Sequence, residues 1–270
     1  HGINAIYNGN PLLDSIASHP SLSETREDFL KRNNLDDKPI IALLAGSRKN
    51  EISYLLPKLP YLENEFPDHQ FILAGAPSIE RSYYEPFISN SKIILLEGET
   101  YAILKQAQAA VVSSGTASLE TALIGTPQVV CYGMNPVTAF LARIVIKVKY
   151  ASLVNLILDA PVVKELLQGD CTSKNIATEV KKILSGRTRN KMLVNYRKLR
   201  KILGEEGASE KVAKAMVREI EKLNISPKYF LYHETKLGLL KITCDNSALL
   251  EIQYVEDDIN YKERTGKNQD

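Results

Sequence analysis

At residues 109–120 the chain reads Ala-Ala-Val-Val-Ser-Ser-Gly-Thr-Ala-Ser-Leu-Glu. An apolar, valine-rich run stops at two serines and a glycine and continues as good helix-forming sequence, which predicts a buried parallel strand, a tight turn and a helix start. Ser114 or Thr116 can cap this helix, and Gly115 lets another group approach the backbone. The free amides of the first turn suit a phosphate, and Glu120 is placed to accept hydrogen bonds from sugar hydroxyls. The simpler interpretation is a capped turn with a dipole-favoured glutamate.

A second turn of the same kind occurs earlier in the chain. Pro39–Leu44 is predicted as a strand that ends at Ala45-Gly46-Ser47-Arg48, and a helix is predicted from Asn50 to Phe66. The Arg48 guanidinium can donate a forked pair of hydrogen bonds to phosphate oxygens. Taken alone, Arg48 is better explained as a surface arginine that pairs with Glu51.

Strands alternate with helices over about 220 residues, which predicts an α/β fold: a Rossmann-like, doubly wound parallel sheet with covering helices. Ligands bind such sheets at the carboxyl ends of the strands, where both turns fall. A loop or short strand is predicted at Ser152–Asn155, and a helix near Val162–Gln168. Together these segments supply a cation, helix-end amides and acceptors for sugar hydroxyls. That combination suits a nucleotide diphosphate sugar.

Composition restricts the classes of function. The chain has 270 residues, and its 34 basic and 32 acidic residues leave a net charge of +2, which argues against a dedicated nucleic-acid binder. Three cysteines and four histidines show no disulfide or zinc spacing, and no run is apolar and long enough to span a bilayer. We expect a cytosolic protein. The chain begins with His1, not Met, and we expect that a segment upstream is missing.

Thr138–Val148 is predicted to be an apolar helix with basic residues at or near its end. Such a segment can seat on an anionic membrane surface or receive acyl chains. A mostly buried helix with snorkelling basic residues explains it equally well.

The character of the sequence changes at Ser226-Pro227. We therefore predict a main domain at 1–224, a small β appendage at 228–258 and a disordered tail at 259–270. Thr235–Leu240 weakly resembles the N-terminal β-rich domain of methylated-DNA–protein-cysteine methyltransferases. The reactive Pro-Cys-His-Arg motif of that family is absent. The appendage is accordingly predicted to be a structural hairpin layer without DNA-repair activity.

Five motifs of the main domain occur in a fixed order over residues 1–222. They are Asn-Gly-Asn-Pro-Leu-Leu-Asp (8–14), Leu-Ala-Gly-Ser-Arg (44–48) with Glu51, Ser-Ser-Gly-Thr-Ala-Ser-Leu-Glu (113–120), Pro-Gln-Val-Val (127–130) and Lys-Tyr-Ala-Ser-Leu-Val-Asn-Leu (149–156). In order and spacing these motifs resemble those of the lipid-A-disaccharide synthase family. One departure is Ala45, which stands where many members have proline.

The resemblance implies half of a two-domain GT-B glycosyltransferase. That family transfers diacylglucosamine from its UDP-linked form to diacylglucosamine 1-phosphate, with inversion, release of UDP and no metal or cofactor. The implied partners are therefore a UDP-linked acylated glucosamine and an acylated glucosamine 1-phosphate, with no nucleic acid. The implied location is cytoplasmic, with the inner face of the inner membrane as the surface for peripheral binding. The resemblance leaves a monomer and a homodimer open.

The resemblance also implies roles for individual residues. Ser47, Arg48 and Glu51 would lie near the donor, and Asn155 would line the donor cleft. The diphosphate would face Ser114, Gly115 and Thr116, and the ribose would face Glu120.

The resemblance implies that the general base lies in the N-terminal half of the family's chain, and we expect that half to be missing here. Asp14 is an interdomain candidate for that role, although a helix cap explains it better. Two other functions stay open. One is another GT-B enzyme that uses UDP-N-acetylglucosamine, such as an epimerase, and the other is a non-catalytic or incomplete UDP-sugar-binding module.

Overall fold

The structure is a computed structural model that describes residues 7–113, 115–133, 149–222, 229–235, 238–244 and 247–255. Contacts divide the chain into two units, His1–Ser209 and Glu210–Asp270. In the first unit six parallel strands form one sheet in the order β3-β2-β1-β4-β5-β6. The strands are β1 (Ile40–Leu44), β2 (Gln70–Gly75), β3 (Ile94–Glu97), β4 (Ala107–Ser113), β5 (Gln128–Tyr132) and β6 (Lys164–Leu167).

Helices of the first unit connect these strands and cover the sheet. None of the described helices is both long and apolar enough to cross a membrane. The α-helices are α1 (Pro11–Ala17), α2 (Arg26–Arg32), α3 (Lys49–Leu55), α4 (Leu62–Glu65), α5 (Arg81–Ile88), α6 (Thr100–Gln106), α7 (Thr116–Ile124), α8 (Leu153–Leu158), α9 (Ser173–Leu184), α10 (Gly186–Leu203) and α11 (Ala208–Lys222).

Both faces of the sheet are buried, as strand β1 shows. Ile41 and Leu43 point into one apolar cluster, which also takes buried residues from α3, α9 and α10. Ile40, Ala42 and Leu44 point into a second cluster, which α2 and α6 cover. Because both faces must be apolar, the strand reads as a continuous hydrophobic run. The predicted α/β, doubly wound parallel sheet is confirmed.

Two predicted helices have a different structure. Val162–Gln168 contains the edge strand β6, which pairs in parallel with β5, so that tertiary pairing overrides the local pattern here. The single helix predicted over Asn50–Phe66 is divided into α3, a 3-10 turn at Leu56–Lys58 and the short α4. Pro57 lies inside that turn and has no amide to donate to an α-helical ladder.

The loop or short strand predicted at Ser152–Asn155 is instead the start of helix α8. Ser152 is its N-cap, and the Ser152 hydroxyl accepts a hydrogen bond from the Asn155 amide at 3.3 Å. The predicted helix at Thr138–Val148 and the predicted disordered tail at 259–270 lie outside the described residues.

The second unit contains a three-stranded antiparallel sheet in the order β7-β8-β9. Its strands are β7 (Tyr229–Thr235), β8 (Gly238–Cys244) and β9 (Leu249–Val255). Neighbouring strands along the chain pair with one another, as in a meander of two hairpins. The β appendage predicted from the sequence is therefore a three-stranded sheet.

Candidate functional site

A cavity of about 410 Å³ opens at the carboxyl ends of β1, β2 and β4. The strand order reverses between β1 and β4, because the strands run β3-β2-β1 on one side of this point and β4-β5-β6 on the other. The helices that follow β1 and β4 lie on opposite sides of the sheet at such a point, which leaves a crevice between them. This is the usual place for a ligand in an open α/β sheet.

The first wall of the cavity is the turn between β1 and α3. Gly46 has a φ of +112°, and a Cβ added there would collide with the side chain of Glu51. The Glu51 carboxylate accepts a hydrogen bond from the Ser47 amide at 3.0 Å and one from the Arg48 guanidinium at 3.3 Å. Glu51 thus stabilises the turn through these two hydrogen bonds. Its side chain is only 15% exposed, whereas the side chain of Arg48 is 82% exposed.

The second wall is the start of α7. Its N-cap is Gly115, with a φ of +144°, and no side chain of the described residues caps the helix. The Ser118 hydroxyl donates to the Gly115 carbonyl at 2.8 Å, so that this side chain turns away from the free amides. Gly115, Thr116 and Ala117 all line the cavity. Uncapped amides at the positive end of a helix dipole form a binding place for an anion.

The carboxylate of Glu120 lies one turn further along α7 and also lines the cavity. It accepts a hydrogen bond from the Tyr101 hydroxyl at 2.9 Å. Burial, and then this hydrogen bond, raises the pKa of Tyr101 above its usual range. The hydrogen bond that the Tyr101 hydroxyl donates holds the Glu120 carboxylate in place at the cavity.

Six of the residues predicted from the sequence line this one cavity, at two turns that are far apart in the chain. Ser114 lies outside the described residues. The six are Ser47, Arg48, Glu51, Gly115, Thr116 and Glu120.

Comparison with known proteins identifies the family. A family model described as Lipid-A-disaccharide synthetase matches residues 1–220. The lipid-A-disaccharide synthase of Myxococcus xanthus is 37% identical over 224 residues, which are 80% of this chain and 57% of that protein. The chain belongs to the lipid-A-disaccharide synthase family. The synthase of Syntrophus aciditrophicus is 35% identical over 229 residues, or 82% of this chain and 59% of that protein.

This chain thus spans between 57% and 59% of the length of these two synthases. A solved structure with a similar fold is the UDP-GlcNAc 2-epimerase of Methanocaldococcus jannaschii in complex with UDP-GlcNAc and UDP. It superposes with a TM-score of 0.52 at 14% identity and covers 80% of this chain and 56% of that one. At this identity the likeness shows the fold alone.

The structure does not bring Asn155 of this synthase-family chain into the cavity. Its side chain is buried, with the residue only 1% exposed. The amide oxygen accepts from the backbone of Val162 at 2.8 Å and Val163 at 2.9 Å. The amide nitrogen donates to the Val163 carbonyl and to Glu165. The Ser-Leu-Val-Asn motif of the family therefore ties helix α8 to strand β6 in this chain, and sequence reasoning could not distinguish that role from ligand contact.

Asp14 is a capping residue, and it caps a helix distant in the chain. Its carboxylate accepts hydrogen bonds from the backbone amides of Ser209 at 2.9 Å and Gly207 at 2.5 Å, where α11 begins. The bond from Ser209, and then that from Gly207, lowers the pKa of Asp14. Each carboxylate oxygen is thus engaged by a backbone amide, as expected of a helix cap.

Sequence reasoning missed three parts of the cavity wall: the loop Gly75–Pro77 after β2, Thr100 at the start of α6, and the support that Tyr101 gives to Glu120. The loop carries a usable signal, because the apolar run Phe-Ile-Leu-Ala (71–74) before Gly75 is typical of a buried strand, and its carboxyl end lies at the same edge of the sheet. Thr100 and Tyr101 carry none, since only folding places helix α6 beside α7.

Within the described part of this synthase-family chain, no group of three or more His, Cys, Asp or Glu residues could hold a metal ion. The charges that line the cavity are the guanidinium of Arg48 and the carboxylates of Glu51 and Glu120. Because Glu51 is turned into its own loop, the cation and the helix amides face the place where an anion would lie.

Proposed function

We propose that this chain binds the nucleotide part of a UDP-linked acylated glucosamine and belongs to a hexosyltransferase of lipid A biosynthesis. The reaction would transfer diacylglucosamine to diacylglucosamine 1-phosphate and release UDP. The observation that carries the proposal is the convergence of Arg48, the free amides of α7 and Glu120 on one cavity at the switch point of the sheet. These groups match the charge pattern of a diphosphate joined to a ribose.

The geometry supports a role for each of these groups. The diphosphate would lie against the first turn of α7, where the helix dipole and the amides stabilise negative charge. Arg48, whose side chain is 82% exposed, would bind the phosphate oxygens from the opposite wall. Negative charge grows on the diphosphate as the glycosidic bond breaks, so both groups would act on the leaving group. The ribose hydroxyls would donate to Glu120.

The acylated substrates and a membrane surface extend the proposal. Diacyl sugars partition into lipid, and each buried methylene contributes about 0.8 kcal/mol to that partitioning. An enzyme for such substrates would work as a peripheral protein at the inner face of the inner membrane.

The described residues include no group in the cavity with the geometry of a general base, so the attack of the acceptor hydroxyl would need a base from elsewhere in the enzyme.

A second function, UDP-sugar binding without turnover by this chain alone, is favoured by one observation: the chain spans less than three fifths of the length of its relatives. Both functions require UDP binding. They differ in what happens when a separately expressed N-terminal half of a related synthase is added. The transferase function predicts that turnover then appears, whereas binding without turnover predicts that it does not.

Calorimetric titration with UDP is the test of the proposed function. We expect saturable binding by the wild-type chain and an affinity roughly 10- to 100-fold lower for Arg48→Ala, since a charge-assisted hydrogen bond contributes about 1.5–3 kcal/mol. The stability of the variant should hardly change, because exposed ion pairs such as Arg48–Glu51 contribute little.

Arg200→Ala is the matched control for Arg48→Ala. Arg200 forms an exposed pair with Glu206 at the same 3.3 Å, and it does not line the cavity. UDP affinity should not change in this variant. Absence of saturable UDP binding by the wild-type chain would refute the proposed function, and unchanged affinity in Arg48→Ala would remove Arg48 from the site.

Tyr101→Phe tests the ribose contact. Without the hydroxyl, Glu120 loses the donor that fixes its rotamer, so UDP affinity should fall roughly 3- to 10-fold, as expected for one hydrogen bond. The same substitution should lower the affinity for 2′-deoxy-UDP by a smaller factor, because that ligand lacks one of the hydroxyls from which Glu120 would accept a hydrogen bond.

Tyr61→Phe provides the comparison for Tyr101→Phe. Tyr61 donates to Glu65 at the same 2.9 Å, away from the cavity. Its loss should leave the affinities for both nucleotides unchanged. Equal losses for UDP and 2′-deoxy-UDP in Tyr101→Phe would mean that Glu120 does not contact the 2′-hydroxyl.

A further inference from the structure

Helix α10 has a charge composition unlike that of the chain as a whole. Its 18 residues include seven lysines and arginines and no aspartate or glutamate. The full chain has 34 basic and 32 acidic residues. The helix therefore carries a formal charge of +7, against +2 for the whole chain.

The helix packs on the sheet through one side only. Met192, Tyr196, Leu199 and Leu203 are its buried residues, and they follow the helical repeat. Positions 187, 191, 194, 198 and 201 follow the same repeat on the opposite side. They hold Arg187, Lys191, Val194, Lys198 and Lys201, all of which are exposed.

Most charge on this outer side is not neutralised within the protein. Arg200, on the flank, pairs with Glu206, and Arg189 donates to backbone carbonyls of Gln108 and Ile183. In the part of the chain that the structure describes, Lys191 and Lys198 take part in no salt bridge. We call Arg187, Lys191, Lys198 and Lys201, together with Val194 and Ile202, the basic face.

The two apolar members of the basic face indicate the kind of partner. Val194 is 42% exposed and Ile202 is 55% exposed, each beside lysines of the same helix. Basic residues interleaved with apolar ones are typical of helices that lie in a lipid–water interface, where the cations meet anionic head groups and the apolar side chains enter the acyl boundary. A surface for single-stranded nucleic acid would add exposed aromatic side chains on which bases stack, whereas the aromatic residue of α10, Tyr196, is buried.

We propose that the basic face of α10 is the surface with which this protein docks on an anionic lipid bilayer. It would hold the donor cavity near the membrane in which acylated substrates reside, and in that respect it builds on the proposed function. Binding would be electrostatic and reversible, because neither Val194 nor Ile202 is large enough to anchor the protein alone. No described helix offers an alternative that spans the bilayer.

Vesicle flotation without nucleotide tests the basic face separately from UDP binding. The full chain is mixed with vesicles of phosphatidylcholine alone, or with about one third phosphatidylglycerol, since anionic lipid supplies the attraction. We expect binding to the anionic vesicles only, and its loss at high salt, where the Debye length falls to about 3 Å at 1 M. The variant Lys191→Glu/Lys198→Glu/Lys201→Glu should lower the partition coefficient at least roughly tenfold.

The control variant is Lys31→Glu/Lys92→Glu/Lys164→Glu, which changes the net charge equally at three exposed lysines on other elements. It should keep most of the vesicle binding, and both variants should bind UDP like the wild-type chain, which shows that they are folded. Equal losses in the two triple variants would mean that net charge, not the basic face, sets binding. Unchanged binding of the α10 variant, or binding of RNA in place of anionic vesicles, would overturn the proposal.

Discussion

Replacing Gly46 with alanine is expected to abolish measurable UDP binding. Gly46 has a φ of +112°, which costs an alanine about 1–3 kcal/mol. The new Cβ would also collide with the Glu51 side chain, which must move to admit it. Glu51 then loses its hydrogen bonds to the Ser47 amide and to Arg48, and the turn that presents Arg48 to the cavity comes apart. Calorimetry with UDP measures the outcome.

Two glycine variants separate the causes of the Gly46 effect. Gly125 has a φ of +98° at the C-cap of α7 but no neighbour within 4 Å of an added Cβ. Gly125→Ala should therefore lose stability through backbone strain and keep its UDP affinity. Gly169 has neither a positive φ nor a close neighbour, and Gly169→Ala should change neither property. Normal UDP binding by a folded Gly46→Ala variant would show that the turn is not part of the site.

Replacing Asn155 with alanine is expected to destabilise the protein by about 3–5 kcal/mol while leaving UDP affinity unchanged. The buried amide satisfies the amides of Val162 and Val163, the carbonyl of Val163 and the carboxylate of Glu165. An alanine deprives the buried amide and carbonyl of Val163 of this partner, at about 1–3 kcal/mol for each group that water cannot reach. The Val162 amide keeps its bond to the Ala160 carbonyl, and Glu165 keeps its bonds from Ala151 and Ser152. The free energy of unfolding in urea measures the loss.

The matched control is Asn175→Ala. Asn175 is exposed and its side chain donates one hydrogen bond, to the Asp170 carbonyl at 2.8 Å. Its loss should lower the free energy of unfolding by no more than about 0.5–1 kcal/mol. A folded Asn155→Ala variant with tenfold weaker UDP binding would return Asn155 to the donor site that the family resemblance implies.

The hydrogen bonds that Glu51 makes within its own turn change how this family motif is understood. The sequence suggested two uses for this carboxylate, a donor contact or a surface pair with Arg48. In the structure it holds the Ser47 amide as well as Arg48. Its main effect on a ligand is therefore indirect, through the position of the turn and of the cation.

The sequence by itself determined the parallel sheet and the place of the site. A strand buried on both faces must be apolar along its buried part, as β1 is throughout and β4 is from Ala109 to Val112. Turns that need a positive φ select glycine, which marked Gly46 and Gly115 as the ends of those strands. Both signals are local, because neighbouring residues alone produce them.

The tertiary structure decided the roles of the remaining segments and side chains, because those roles depend on which distant parts of the chain meet. β6 is a strand because β5 offers it an edge, although its own pattern predicted a helix. Asp14 caps a helix 195 residues away, and Tyr101 reaches Glu120 only because α6 packs beside α7. Asn155 is buried by the chain that returns at Val162 and Val163. A hydrogen-bonding side chain has the same sequence signature whether its partner is a ligand or a distant backbone group, and only the folded chain distinguishes the two.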